Sequence, residues 1–294
     1  MFTEPYEDLQ EIFNNEEKAI WYLINNKYIP KYDICKICNG KMSMYMKNKI
    51  YLCHNYKCRK AISPFKDTVF SHAKLPINKV LHLLNLFLLK TPMNGLASYL
   101  KIDKDTIKSY YNKFRKHINN NTKLERIGGR NKTVEVDETK IGKRKNNKGH
   151  KVDGVWVIGG IERSQLKNKV KNENRKSFFI PIEKRNISNI DEIIKKYVKK
   201  GTTINTDCWK GYNNLNNIGY KHQTVNHKKF FKDPITHVHT NGIEGTWSGI
   251  KRGIPFRNRN KKDIVNHLME YKWRKRYREN NVWKKFLQMK VKKN

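Results

Sequence analysis

The sequence predicts a mixed protein, α+β or α/β, of about two domains: helices and a small cysteine module first, a strand-and-helix domain second. Three observations carry this. Four of the five cysteines fall in two close pairs, at 35 and 38 and at 53 and 58. Residues 72–118 place apolar side chains at helical spacing. From Thr133 onward, short runs rich in valine, isoleucine and threonine alternate with helical stretches, the pattern of a sheet covered by helices. With 294 residues the chain has room for one sizeable core and a smaller companion.

Residues 1–30 read as an N-terminal segment of one or two acidic-leaning helices, with EEKAIWYLIN (16–25) at helical apolar spacing. Residues 31–66 hold the cysteine module: Cys35-x2-Cys38, fourteen residues, then Cys53-x4-Cys58. Two such pairs, each able to form a tight knuckle, supply four thiolates for a tetrahedral Zn²⁺. Tyr45, Ile50 and Tyr51 between the pairs suit small strands, so the module reads as a zinc ribbon. Four protein ligands leave no open position, which makes that zinc structural. The plain alternative is four unconnected buried thiols. His54 reads as a bystander next to Cys53, and Cys208 stands alone.

Residues 72–118 are helical, with breaks near Pro76 and at Thr91-Pro92. Within them, 93–117 resembles a helix-turn-helix: Met93 to Leu100 as first helix, Ile102-Asp103 as turn with Asp103 or Asp105 as N-cap, and Lys104 to His117 as recognition helix. Ile107, Tyr110 or Tyr111, and Phe114 would face the core, leaving Lys104, Lys108, Lys113 and Arg115 for DNA. An ordinary helical hairpin with a solvated basic face is the other reading. The polar stretch 119–132 reads as a linker.

Beyond it, TVEVDET (133–139), VDGVWVIGGIER (152–163), SFFIPI (177–182) and TTINT (202–206) read as strands. Residues 187–200 read as a helix capped by Ser188 or Asn189, and 241–252 and 261–279 also look helical. KRKNNKGHK (143–151) is a basic loop, and 281–294 a basic tail. Basic and aromatic residues alternate in KWRKRYREN (272–280) and KKFLQMKVKK (284–293), which suits either tracking DNA or a solvated terminal helix.

Lys and Arg number 63 against 26 Asp and Glu, a net charge of +37. A chain this basic has a polyanion as expected partner, nucleic acid first, although an AT-rich genome also inflates Lys and Asn. No long basic helix with an apolar face points to a membrane. The N-terminus MFTEPYEDLQEIF lacks a basic region followed by an apolar core, and the longest apolar run, VLHLLNLFLL (80–89), is too short to cross a bilayer. An intracellular protein at chromosomal DNA is expected, in the nucleus of a eukaryote or the cytoplasm and nucleoid otherwise.

Against that basic background, three acids sit in suggestive places. Alternation puts Val134 and Val136 on one face of their strand and Thr133, Glu135 and Asp137 on the other. Asp207 directly follows the TTINT run. Glu244 shares a helical stripe with Ser248 and Lys251, beside an apolar stripe of Ile243, Trp247 and Ile250. Glu135 and Glu138 are competing candidates that rank below Asp137. Trp209 and Tyr212 read as core. Three converging carboxylates suit two Mg²⁺ (or Mn²⁺) ions about 3.5–4 Å apart, an arrangement that activates a nucleophilic oxygen and stabilises a leaving one.

VDET, the strand ending GGIER (159–163), DCWKGY (207–212) and HTNGIEGTWSGIKR (239–252) resemble the catalytic domain of Merlin-type transposases and their bacterial insertion-sequence relatives, the ISXO2-like family. The resemblance covers roughly 30–280. It implies a ribonuclease-H-like fold over 133–280, a mixed sheet flanked by helices. It also implies metal-dependent cutting and strand transfer of double-stranded DNA at terminal inverted repeats, by a homo-oligomer assembled on transposon ends and target. Asp137, Asp207 and Glu244 would hold the metal. The family's third position is an acid or an asparagine, so Asn241 is the alternative to Glu244. Lys251, with Arg252 beside it, would meet a backbone phosphate near the cut, and His239 and Asn241 would orient water or the scissile phosphate, though Thr240 or Asn241 as helix cap is equally open. The rival readings are a domesticated, catalytically silent DNA-binding regulator, and a nuclease or resolvase without transposition.

Overall fold

The computed structural model describes residues 3–142, 154–163, 175–227, 229–278 and 280–290, with backbone alone at 257. The basic loop 143–151 and the last residues of the tail lie outside the described residues. The chain divides into two compact units: Met1–Asn121 with Tyr277–Asn294, and Thr122–Arg276.

The first unit is helical with a small sheet. Asn15 separates α1 (Tyr6–Asn14) from α2 (Glu16–Asn25) and caps the second, its side chain accepting from the Lys18 amide at 2.9 Å. Three short antiparallel strands follow, β1 (Met42–Tyr45), β2 (Ile50–Cys53) and β3 (Ala61–Ile62). After Pro76 runs α3 (Ile77–Leu88), with Val80, Leu81, Leu83, Leu84 and Phe87 buried. Then come the short α4 (Leu96–Leu100) and the long α5 (Lys104–Asn121). Lys101 between them is left-handed, and the Asp103 carboxylate accepts from the amides of Asp105 and Thr106, so Asp103 is the cap. Ile107, Tyr110, Tyr111 and Phe114 are all buried, both tyrosines included.

A last short helix, Val282–Leu287, corrects the reading of the C-terminal tail. Val282, Trp283, Phe286 and Leu287 are buried; the Trp283 indole donates to the Tyr22 hydroxyl at 2.9 Å, and Phe286 meets Phe114 edge-on at 5.7 Å. In one helical turn the apolar pairs take one face and Lys284 the other. The alternation of basic and aromatic residues marks a core element of the first unit here.

The second unit is built on a five-stranded mixed sheet: β4 (Thr133–Ile141), β5 (Val155–Glu162), β6 (Ser177–Ile182), β7 (Thr203–Asp207) and β8 (Lys221–Val225). The order is β6-β5-β4-β7-β8, with β5 antiparallel to both neighbours and β4, β7 and β8 parallel. One face packs on α6 (Ile187–Tyr197) through Val134, Val136, Ile158, Phe178, Ile190, Ile194 and Ile204. The other packs on α7 (Asn241–Gly253) and α8 (Ile264–Arg276) through Ile141, Val157, Ile161, Phe179, Ile243, Trp247, Ile250 and Leu268. The helix α6 starts earlier than its sequence suggests: Asn186, not Ser188 or Asn189, is the cap, accepting from the Asn189 amide at 3.0 Å. The expected linker also differs. The helix α5 runs to Asn121, and Ile127 is buried and bridged to Val198, so the second half of 119–132 is stitched into this unit. No helix among the described residues is long and apolar enough to cross a membrane.

Candidate active site

The register of β4 and β7 sets the site. Glu135 pairs with Asn205 in a parallel ladder, so two residues further along Asp137 and Asp207 come level at the ends of adjacent strands. Alternation puts both on the face covered by α7, as the sequence suggests for Asp137. Asp137 is largely buried. Burial first, then the charges of Glu138 and Asp207, push its carboxyl up to about 7. One oxygen accepts from the Trp247 indole at 3.0 Å. Asp207 is half-buried and accepts from the amide of Trp209 at 3.0 Å, which closes the chain into the 3-10 turn Lys210–Tyr212. Lys251, in the last turn of α7, is half-buried; desolvation lowers the pKa of its ammonium, which the Asp137 charge partly restores.

Glu244 takes a different environment. Its side chain is 43 % exposed, accepts from the Thr240 hydroxyl at 2.9 Å and lies 3.1 Å from Nε2 of His227. The structure brings Asp137 and Asp207 side by side but does not draw Glu244 into a common cluster with them. Among the described residues, the four cysteines are the one group of three or more metal-ligating side chains whose donor atoms all lie within 4.8 Å of one another. Asn241, at the start of α7, has a buried Oδ1 with no hydrogen-bond partner.

The two glutamates on either side of Asp137 have structural employment. Glu135 is 2 % exposed and caps α7: its carboxylate accepts from the Ile243 amide at 2.9 Å and lies 3.6 Å from Arg163 and 3.7 Å from His239. Burial raises its pKa, and the Ile243 amide and the Arg163 charge pull it back. The cap is therefore Glu135, reaching across from the sheet, rather than Thr240 or Asn241. A side chain at Gly242 would meet the Glu135 carboxylate at 2.8 Å, so the helix comes this close only with glycine there. Glu138 lies on the valine face, bonded to the Tyr212 hydroxyl and to Arg185, whose guanidinium sits 3.8 Å from the centre of the Trp209 ring. That clamp holds the turn after Asp207. The sequence contained one signal for it: an acid in register with buried valines needs a buried partner.

Gly159 lies opposite Asp137 on β5. A Cβ there would meet the Trp247 ring at 2.6 Å and Phe179 at 2.9 Å. Gly159→Ala is expected to push the indole off Asp137 and cost about 1–3 kcal/mol by overpacking; a thermal melt and the indole N–H resonance check this. The paired carboxylates suit a hard dication. All their donors are oxygen, the Asp207 charge raises the proton affinity of Asp137, and a bound dication would relieve that repulsion. Since the ion must displace the Asp137 proton, affinity for Mn²⁺ should rise about tenfold per pH unit up to about 7 and flatten above it, as read by calorimetric titration.

In the first unit, Sγ of Cys35 and Cys58 lie 3.7 Å apart and those of Cys38 and Cys53 3.4 Å. Four sulfurs around one Zn²⁺ at about 2.3 Å would be spaced roughly 3.8 Å apart, so the tetrad fits. Asn39 and Arg59, each just after the second cysteine of its pair, are left-handed and turn the two knuckles. Amide donors of Ile37 and Cys38 pull the Cys35 thiol down to about 7, whereas burial pushes Cys53 up to about 12, so the set needs a cation to be thiolate throughout. His54 bonds Ser43 at 2.8 Å and turns away from the sulfurs. Of the basic residues expected on α5, Lys104 and Lys108 are exposed. The Lys113 ammonium donates to the Ser71 carbonyl at 2.6 Å, and Arg115 lies over the rings of Phe87 and Tyr111. Arg252 is exposed beside Lys251.

A mixed sheet flanked by helices, with acids at the ends of two adjacent parallel strands, is the class of domain these features define. The chain belongs to the ISXO2-like transposase domain family, whose model matches residues 127–280, more than half of the 294 residues. The match starts at Ile127, the residue bridged to Val198 at the end of α6, and the family supports a function of transposase type. No curated protein matches the chain.

Proposed function

We propose that this chain is a DNA transposase of the acidic-triad type, which cleaves double-stranded DNA at terminal inverted repeats and joins the freed 3′-hydroxyl to target DNA. The observation that carries the reading is the level placement of Asp137 and Asp207 on one face of a sheet in a +37 chain. The five-strand order with a single antiparallel member supports a ribonuclease-H-like fold. Asp137, Asp207 and Glu244 would hold Mg²⁺ or Mn²⁺, which when bound supplies Lewis-acid activation of the attacking oxygen and charge stabilisation of the leaving one. The Trp247 indole fixes one Asp137 oxygen. The Lys251 ammonium offers a cation to the scissile phosphate, and His239 and Asn241 line the entry of α7, where they orient that phosphate. The cysteine tetrad would hold a structural Zn²⁺. Lys104 and Lys108 on α5 would contact DNA outside the acid site, in a helix-turn-helix with α4. Assembly as a homo-oligomer on DNA belongs to the same reading, as does a location at chromosomal DNA.

The presence of Asp137, Asp207 and Glu244 in the sequence supports an active enzyme over a silent regulator. The test is incubation of the purified protein with Mn²⁺ and an end-labelled duplex carrying the repeats that flank the gene. Nicks at the repeat boundary are expected; an intact duplex at every metal concentration contradicts the reading. The third ligand is tested in the same assay. Glu244→Gln should slow cleavage by about a hundredfold or more and Asn241→Ala by tenfold at most, since a carboxylate binds Mg²⁺ better than an amide. The reverse order would move the ligand to Asn241.

A further inference from the structure

The segment between β8 and α7 displays apolar side chains to solvent from an ordered turn. Ile235 is 88 % exposed, Phe231 74 % and Phe230 44 %, three large apolar residues within six positions. The segment is not loose chain. The Phe230 amide donates to the Asn226 carbonyl at 2.9 Å, and the Asp233 amide to the Val238 carbonyl at 2.9 Å. The Asp233 carboxylate accepts from the amides of Ile235 and Thr236 at 3.0 and 2.7 Å, which holds Pro234 and Ile235 outward. Both ends are tied to the start of α7: His227 bonds the Thr240 hydroxyl at 2.6 Å, and Val238 is buried just before His239. Lys229 and Lys232 flank the phenylalanines, and the Lys232 charge reaches His239.

Apolar side chains held rigidly in water cost free energy unless something covers them. The cations on the same turn select a polyanion, and the polyanion with apolar interior faces is a nucleic acid. We infer that the 229–238 turn is a wedge that inserts Phe231 and Ile235 between bases next to the phosphodiester presented to Asp137 and Asp207, while Lys229 and Lys232 hold the adjoining phosphates. Phe, Ile and Pro serve as such wedges where proteins unstack DNA steps, and opening the step frees the strand for in-line attack. This rests on the reading that the acid site acts on DNA.

The full-length protein is titrated with two duplexes that differ by one base, one fully paired and one with a central mismatch, in Ca²⁺ to prevent cleavage. A wedge spends less on a pair already open, so the wild type is expected to bind the mismatched duplex about tenfold more tightly. Phe231→Ala with Ile235→Ala should erase that preference, and Phe231→Trp should keep it; the melting temperature verifies folding of each variant. A preference that survives the double alanine change, or a wild type with none, overturns the inference and leaves the acid-site reading standing. Failure of the wild type to bind either duplex sinks both. If the double change alters only the sedimentation of DNA-free protein, the turn is a contact between copies and the inference is overturned.

Discussion

Asp207→Asn should lower strand cleavage by at least about a thousandfold, about 4 kcal/mol of transition-state stabilisation, while DNA affinity stays within a few-fold of wild type. The substitution removes little besides charge. Asp207 uses one oxygen to accept from the Trp209 amide, and an asparagine Oδ1 can do the same, so the turn that follows keeps its anchor. The same change at Asp137 is sharper still. Asparagine there can accept from the Trp247 indole as the acid does, yet it takes away a buried carboxyl whose ionisation is pushed up to about 7. Asp137→Asn should therefore match or exceed the wild type in thermal stability while losing cleavage to the same degree. Loss of activity with gain of stability is the mark of a residue held in place for chemistry. Retained cleavage, measured on a denaturing gel with binding followed by fluorescence anisotropy, would remove either aspartate from the site.

Zinc removal should have the second large effect. The three strands around the tetrad are four, four and two residues long, too little sheet to fold unaided. Structural zinc contributes roughly 10–16 kcal/mol in comparable small modules. A strong chelator should release about one zinc per chain, make 31–66 sensitive to protease and weaken binding to transposon-end DNA. Cys35→Ser should reproduce all three effects. Zinc release without a change in end binding would detach the ribbon from DNA recognition. The protease pattern also separates the units, since Thr122–Arg276 has its own two-sided core and should persist as a resistant fragment.

How much was legible in the sequence follows from where the information was local. The strands β4 and β7 announce themselves because β-branched residues alternate with polar ones, β5 and β6 because they are short, nearly continuous apolar runs, and the alternation in β4 assigns Asp137 its face. The strand β8 does not: Lys221 to Val225 is polar, short and at the sheet edge, and only its ladder with β7 makes it a strand. Two pairs of cysteines with their own turn geometry are equally local and were readable outright. Long-range contacts were not. Glu135 caps α7 from 108 residues away, the Val282–Leu287 helix returns to Tyr22, and Lys113 is engaged by Ser71; nothing in the neighbouring sequence specifies any of these partners. Glu244 illustrates the limit at the site itself. Helical spacing gives its stripe correctly, while the hydrogen bond from Thr240 and the nearby His227 imidazole that set its carboxylate depend on a loop whose path periodicity does not describe.

The central claim is that Asp137, Asp207 and Glu244 jointly bind divalent cations. Crystals of the protein on a repeat-end duplex, soaked in Mn²⁺ and measured at the manganese absorption edge, test it most directly. Anomalous peaks between the Asp137 and Asp207 carboxylates, with Glu244 released from Thr240 and His227 to join them, are the predicted result. A map with no manganese at the ends of β4 and β7 would contradict it.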